Sequence, residues 1–251
     1  MNVKRNAETI RYEYGSEPDQ FGEFHPARSG DPRGTVVFIH GGVWRAGRGW
    51  DTPDRAIDRL VLAGWNVWKI QFRGVGGGGG WPNTGDDVLA AVSFLPEIQR
   101  DRDLPLRPII LVGHSSGGHL AVWALSATHD QVAGAVSVEG VLDLRRAEAE
   151  ELGDGGVVAF LGGTSAELPD RYRTADPVQN IRPDMPVRLI HARDDTAVPL
   201  SQSEAYLEAA QLAGQDASLA LVDGDHFTPI DPDSTAWLAV EGAIEDLSLD
   251  R

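Results

Sequence analysis

Continuous apolar runs separated by amphipathic stretches constrain this chain more than any other feature. TVVFIHG (35–41), NVWKIQF (66–72), PIILVGH (108–114), VAGAVSVEG (132–140) and VRLIHA (187–192) lack the alternation of a half-exposed strand. Each therefore reads as a strand covered on both faces. Between them, DTPDRAIDRLVLAG, TGDDVLAAVSFLPEI, SGGHLAVWALSA and SQSEAYLEAAQLAG read as helices. The first has Thr52 as a cap candidate, Pro53 at the first helical position, apolar Ala56, Ile57, Leu60 and Val61, and Gly64 to stop it. Strands alternating with helices imply a parallel sheet with helices on both faces. TIRYEYG and FGEFHPA read as antiparallel edge strands at the start, and SLALVDG with STAWLAVEGAIEDL adds a last strand and helix. No repeat or linker divides the chain, so residues 1–251 are expected to form one doubly wound α/β domain of about eight strands.

Composition narrows the function. Apolar residues make up 41% and charged residues 24%, the balance of a folded globular chain. The net charge of −16 repels phosphate backbones and anionic lipid, which argues against nucleic acid and membrane surfaces as partners. The absence of cysteine removes disulfides, thiolate nucleophiles and zinc–thiolate sites. The opening MNVKRNAETIRYEYG has no apolar segment for a secretory signal, and no run approaches a membrane span, so a cytoplasmic location is expected. The oligomeric state stays open, with a homodimer among the arrangements allowed.

The stretch GVGGGGGWPNTGDD (74–87) tests one alternative. Gly74-x-Gly76-x-x-Gly79 follows a strand and precedes a helix, as a dinucleotide fingerprint does. The fingerprint also needs an acidic residue at the end of the next strand, where this chain has GHSSGG. Trp81-Pro82 interrupts before any helical period begins, and no P-loop GxxxxGK[ST] occurs. A nucleotide-dependent oxidoreductase is therefore the weakest reading, and no cofactor or metal is expected. The glycines are instead expected to line or flank a cleft, with Trp81 packed close to Ser115.

Gly113-x-Ser115-x-Gly117 lies between a strand and a helix, the setting of a nucleophile elbow. Ser116 is shifted by one place, so its side chain should point elsewhere while its amide can serve as an oxyanion donor. A serine hydroxyl needs a base and a carboxylate to orient that base. With the chain order serine, acid, histidine, the base among the seven histidines is His226 in DGDHF, after the last strand. Asp194 and Asp195 both follow VRLIHA; Asp195, which opens DTAVP, is preferred, and Asp194 is expected to be solvated or capping. His191 and His40 are expected to be structural. Gly41 and Gly42 can turn their amides towards a developing oxyanion. Trp44, Trp50 and Trp81 lie on loops at the carboxyl ends of strands, and Trp44 and Trp81 are taken as candidate substrate contacts.

At HGGVW (40–44), GHSSGGHLA (113–121), HARDDTAVPLSQS (191–203) and DGDHF (223–227), the chain resembles α/β-hydrolases of the kynurenine formamidase and small carboxylesterase group. The resemblance implies an α/β-hydrolase fold, a mostly parallel eight-stranded sheet without a large cap domain. It implies Ser115 as nucleophile, Asp195 as orienting acid, His226 as base, and Gly41, Gly42 and Ser116 as oxyanion donors. Ala192 departs from the glycine that often follows the histidine in related enzymes. Residues 142–184, polar and acidic, are the remaining candidate for a small lid, and their polarity leads to an expectation of a small, water-soluble substrate. The resulting reading is a serine hydrolase of small esters or N-formyl or aryl amides. The alternative is a ligand-binding protein on a hydrolase fold, although a binder needs neither nucleophile nor base.

Overall fold

A computed structural model describes residues 8–128 and 132–249. Its strands are β1 (Ile10–Glu13), β2 (Phe21–His25), β3 (Thr35–Ile39), β4 (Asn66–Ile70), β5 (Ile109–His114), β6 (Val132–Val138), β7 (Val187–Ala192) and β8 (Ala217–Val222). They form one 8-stranded sheet in the order β1-β2-β4-β3-β5-β6-β7-β8. β1 pairs antiparallel with β2 and β2 antiparallel with β4, while every later pairing is parallel. This is the α/β-hydrolase architecture anticipated from the sequence.

The apolar runs are continuous because both faces of the central strands are covered. In β3, Val36 and Phe38 point into one core with Ile110, Val112, Val136 and Ile190. Val37 and Ile39 point into the other with Trp68, Leu111, Ala135 and Leu189. Helices α1 (Asp54–Leu62) and α9 (Trp237–Leu249) close the first core, through Ile57 and Leu60 and through Trp237 and Ile244. Helices α2 (Asn83–Ser93), α4 (Ser116–Ala124) and α8 (Ser201–Ala213) close the second, through Val88, Leu120 and Tyr206. Each fully buried Val, Leu or Ile stabilises by roughly 1.5–3 kcal/mol relative to exposure.

Two helix boundaries differ from expectation. α1 starts at Asp54 with Pro53 in the capping position and no side-chain cap, so Thr52 does not cap it. The stretch expected as one helix from Thr84 divides at Phe94 into α2 and α3 (Leu95–Asp101). Pro96 has no N–H to continue the ladder from α2, so the axis turns there. Residues 142–184, expected as a polar lid, form α5 (Leu144–Ala149), α6 (Leu152–Leu161) and α7 (Pro169–Ala175). Their apolar residues, among them Leu144, Val157, Phe160 and Tyr172, extend the core, and most of the charged ones face outward, Asp176 being buried with its carboxylate accepting from the Leu144 amide and Gln179.

Candidate active site

Five neighbouring strands end at the same edge of the sheet, and the residues beyond them converge. β3 leads into the 41–46 loop, β5 into Ser115, β6 into Glu139, and β7 and β8 into the loops of Asp195 and His226. Open parallel sheets bind ligands outside the carboxyl ends of their strands. Here that region encloses a cavity of about 360 Å³.

Ser115 joins β5 to α4 at φ 57° and ψ −125°. Such a conformation costs a residue with a side chain about 1–3 kcal/mol and persists only where surroundings impose it. The surroundings here are glycines. A Cβ at Gly113 would lie 2.1 Å from the Gly117 carbonyl oxygen, and one at Gly117 would lie 2.1 Å from that of Ile39. Among the described residues the Ser115 hydroxyl has no hydrogen-bond partner, and Ser115 lines the cavity.

His226 lines the same cavity, and its Nδ1–H donates to Asp195 Oδ2 at 2.7 Å. The other oxygen of Asp195 accepts from the amides of Ala197 and Val198 at 2.8 and 2.9 Å. Burial alone would raise this carboxyl, but the hydrogen bonds from His226 and the two amides outweigh it and hold Asp195 below its ordinary value. Asp194 is exposed and forms no pair with His226. His191 is fully buried behind the acid loop, with Nδ1 2.8 Å from Ser203 Oγ and Nε2–H donating to the Val198 carbonyl at 3.0 Å. It braces the segment that carries Asp195. No hydrogen bond joins Ser115 to His226; sites of this kind often tighten only when substrate is bound.

The 41–46 loop forms the opposite wall. A Cβ at Gly41 would sit 3.0 Å from the His114 carbonyl oxygen and 3.1 Å from Ser115 Cβ, so a side chain there would press on the turn that carries Ser115. Gly42 has φ 116°, and Val43 and Trp44 follow at φ 58° and 54°. Among the described residues, the amides of Gly41, Gly42 and Ser116 have no acceptor, and all three residues line the cavity. Several anchors hold the loop. The Trp44 amide donates to Ser116 Oγ at 3.3 Å, its indole N–H donates to His119 Nδ1 at 3.1 Å, and its ring stacks on Phe160 at 4.8 Å. Burial pushes His119 down to about 4, which keeps Nδ1 unprotonated as an acceptor, while its Nε2–H donates to the Ala175 carbonyl at 2.9 Å. His40 donates from Nδ1 to the Gly41 carbonyl at 2.7 Å and stacks on Phe72 at 4.5 Å.

Of the two placements expected for the glycine run, lining or flanking the cleft, it takes the second and contributes no residue to the cavity wall. It closes a compact turn, with the Gly77 and Gly79 amides donating to the Gly74 carbonyl at 2.9 and 3.0 Å. The turn lies behind the 41–46 loop, where the Val75 amide donates to the Trp44 carbonyl at 2.7 Å and the Ala46 amide to the Val75 carbonyl at 3.0 Å. Trp81 is likewise absent from the cavity wall. Its amide donates to the Phe160 carbonyl at 2.8 Å, and its ring packs edge-on against Trp123 at 4.9 Å, which turns it into the helical layer. Trp50 packs against Phe21 and His40 instead, leaving Trp44 as the one of the three tryptophans on the cavity. The wall is mainly apolar, with Val43, Val141, Leu152, Val198 and Phe227. No acidic residue of 142–184 lines the cavity.

Two site residues escaped the sequence reading. Glu139, at φ 53° and fully buried, places Oε2 3.6 Å from His226 Nδ1 and 3.5 Å from His114 Nε2. His114 donates from Nε2 to the backbone carbonyl of His226 at 2.7 Å. The signal for Glu139 was a carboxylate closing an otherwise apolar strand, the same cue that singles out the aspartates after β7. His114, Glu139 and His226 bring three possible ligand atoms within 4.8 Å of one another. Both imidazole nitrogens concerned are N–H donors already bonded to the His226 carbonyl and to Asp195, so neither offers a lone pair to a metal. Among the described residues, no helix is long and apolar enough to cross a membrane.

A family model described as BD-FAE matches residues 24–210. A truncated form of a carbohydrate esterase from gut microbiota superposes with a TM-score of 0.83 at 20% identity, over 97% of this chain and 98% of that one. Esterase B from Lactobacillus rhamnosis superposes with a TM-score of 0.79 at 20% identity, over 96% and 83%. A thermophilic esterase from Thermogutta terrifontis gives 0.72 at 21% identity, over 97% and 92%. These likenesses show the fold. No curated protein sequence matches the chain.

Proposed function

Because the chain belongs to the BD-FAE family, we propose that it is a serine hydrolase cleaving small carboxylic esters, or N-formyl or aryl amides, through an acyl-enzyme. One observation carries this reading. An unpartnered serine hydroxyl on a strained strand-to-helix turn shares a cavity with an imidazole whose far nitrogen is held by a carboxylate. The esterase titles of the superposed structures point the same way.

In the proposed reaction, Ser115 Oγ attacks the carbonyl carbon as His226 Nε2 takes its proton. Asp195 holds the imidazole by Nδ1 and stabilises the imidazolium. The carbonyl oxygen becomes an oxyanion facing the amides of Gly41, Gly42 and Ser116, and each such donor is worth about 3–4 kcal/mol in the transition state. Collapse expels the alcohol or amine, which takes the proton from His226, and leaves an ester on Ser115. Water then repeats the sequence, releasing the acid and restoring the serine. The apolar wall of Val43, Trp44, Val141 and Leu152 suits a small acyl or aryl group.

Ser115→Ala is expected to abolish labelling by a fluorophosphonate and to lower kcat on p-nitrophenyl acetate by on the order of 10⁶-fold. Rates on acetate esters, longer acyl esters and N-formylkynurenine, measured side by side, sort the substrate class. A folded wild-type protein that neither takes the label nor turns over any of these substrates would refute the reading.

A further inference from the structure

Glu139 is fully buried, and its side chain has one oxygen accounted for. Oε1 accepts from the Ala192 amide at 3.2 Å, whereas Oε2 has no hydrogen-bond partner. That free oxygen points between two imidazoles, 3.6 Å from His226 Nδ1 and 3.5 Å from His114 Nε2. Both N–H groups are committed elsewhere, to Asp195 and to the His226 carbonyl. A buried oxygen without a partner is rare in folded proteins and calls for a reason. The backbone is strained here as well, since Glu139 is not glycine yet has φ 53°.

From this geometry, and resting on the catalytic roles proposed above for Asp195 and His226, we propose that Glu139 is a positioning residue for His226. It provides a second carboxyl able to accept the Nδ1–H that Asp195 normally holds. A small rotation of the imidazole exchanges one acceptor for the other without moving Nε2 out of the cavity. No proton changes hands in the exchange; the N–H bond stays intact and only its acceptor differs.

The groups facing Glu139 come from neighbouring strand ends: His114 from β5, Asp195 from the loop after β7, and Asp225 and His226 beyond β8. Burial pushes Glu139 up to about 8; the charge of Asp195 adds to this and that of His226 opposes it. Near neutral pH the carboxyl therefore holds its own proton and is a poor acceptor. It becomes a good one when it ionises.

The test compares Asp195→Asn, Asp195→Asn/Glu139→Gln and Ser115→Ala with wild type, as kcat/KM for p-nitrophenyl acetate from pH 5 to 10. Losing the sole orienting acid of such a site costs on the order of 10⁴-fold. With Glu139 in reserve, Asp195→Asn loses on the order of 10²-fold at the alkaline end. Its activity rises with pH through a midpoint between the ordinary glutamate range and about 8, because removing Asp195 relieves part of the upward shift. The double variant falls to the 10⁴-fold level, and the ratio of single-variant to double-variant activity climbs with pH, because deprotonation of the His226 base is common to both. Glutamine keeps the shape and the bond from Ala192, and melting of the double variant verifies the fold.

Equal rates and profiles for Asp195→Asn and the double variant, with Ser115→Ala inactive, would overturn the role of Glu139 alone. An Asp195→Asn profile without an alkaline rise does the same, even if the double variant does not fold. A Ser115→Ala protein that keeps its rate would instead overturn the hydrolase reading.

Discussion

At the scale of the residue, Ser115 owes its position to side chains that are not there. Gly113 and Gly117 bring two carbonyl oxygens to within 2.1 Å of where their Cβ atoms would stand. Gly117→Ala must push α4 away from the end of β3, an overpacking cost of about 1–3 kcal/mol. At roughly 2–4 °C per kcal/mol for a chain of this size, calorimetry is expected to show melting lowered by about 5 °C, with turnover lost as the hydroxyl moves. An unchanged melt would mean that the helix start yields freely. The places of Ser115, Asp195 and His226 are legible from sequence because each stands where an apolar strand gives way to turn chemistry. Glu139 stands at such a point too, but its importance lies in being close to His226, and no local pattern reports a contact across 87 positions.

At the scale of the element, the glycine-rich turn at 74–80 acts as a brace for the wall of the cavity. Its positions are not equivalent. A Cβ at Gly79 would lie 1.9 Å from the Arg73 carbonyl oxygen, whereas one at Gly76 meets nothing within 4 Å and suffers only from φ 87°. Gly76→Ala is therefore expected to cost about 1–2 kcal/mol with little change in turnover. Gly79→Ala is expected to lower both melting temperature and kcat/KM, since the displaced turn drags the Val75 and Trp44 backbones with it. Equal effects at the two positions in melting and ester hydrolysis assays would contradict the bracing role. The end of α1 is foreshadowed by Gly64, whereas the break between α2 and α3 falls inside a stretch expected as one helix although Pro96 carries the signal for it. The helices within 142–184 are not foreshadowed, because α6 is interrupted at Gly153, Asp154 and Gly155 by left-handed residues that leave no helical period to read.

At the scale of the whole molecule, the sheet was legible because burial on both faces is written directly into its strands as unbroken apolar runs. The two margins depart from this: β1 alternates, and β8 has residues that are only half-buried or exposed and pairs on one side alone, with β7. Sheet margins open at lower free energy than centres. The imidazole of His226 hangs from the β8 margin, while Ser115 is fastened between β5 and α4 in the interior. In a urea titration, ester hydrolysis is thus expected to disappear at a lower concentration than far-ultraviolet circular dichroism; coincident midpoints would show the margin to be as firm as the middle. If they separate, the protein has a built-in order of failure. Mild stress would leave an intact scaffold that has dropped its proton acceptor, silent but able to resume work once the last strand re-docks.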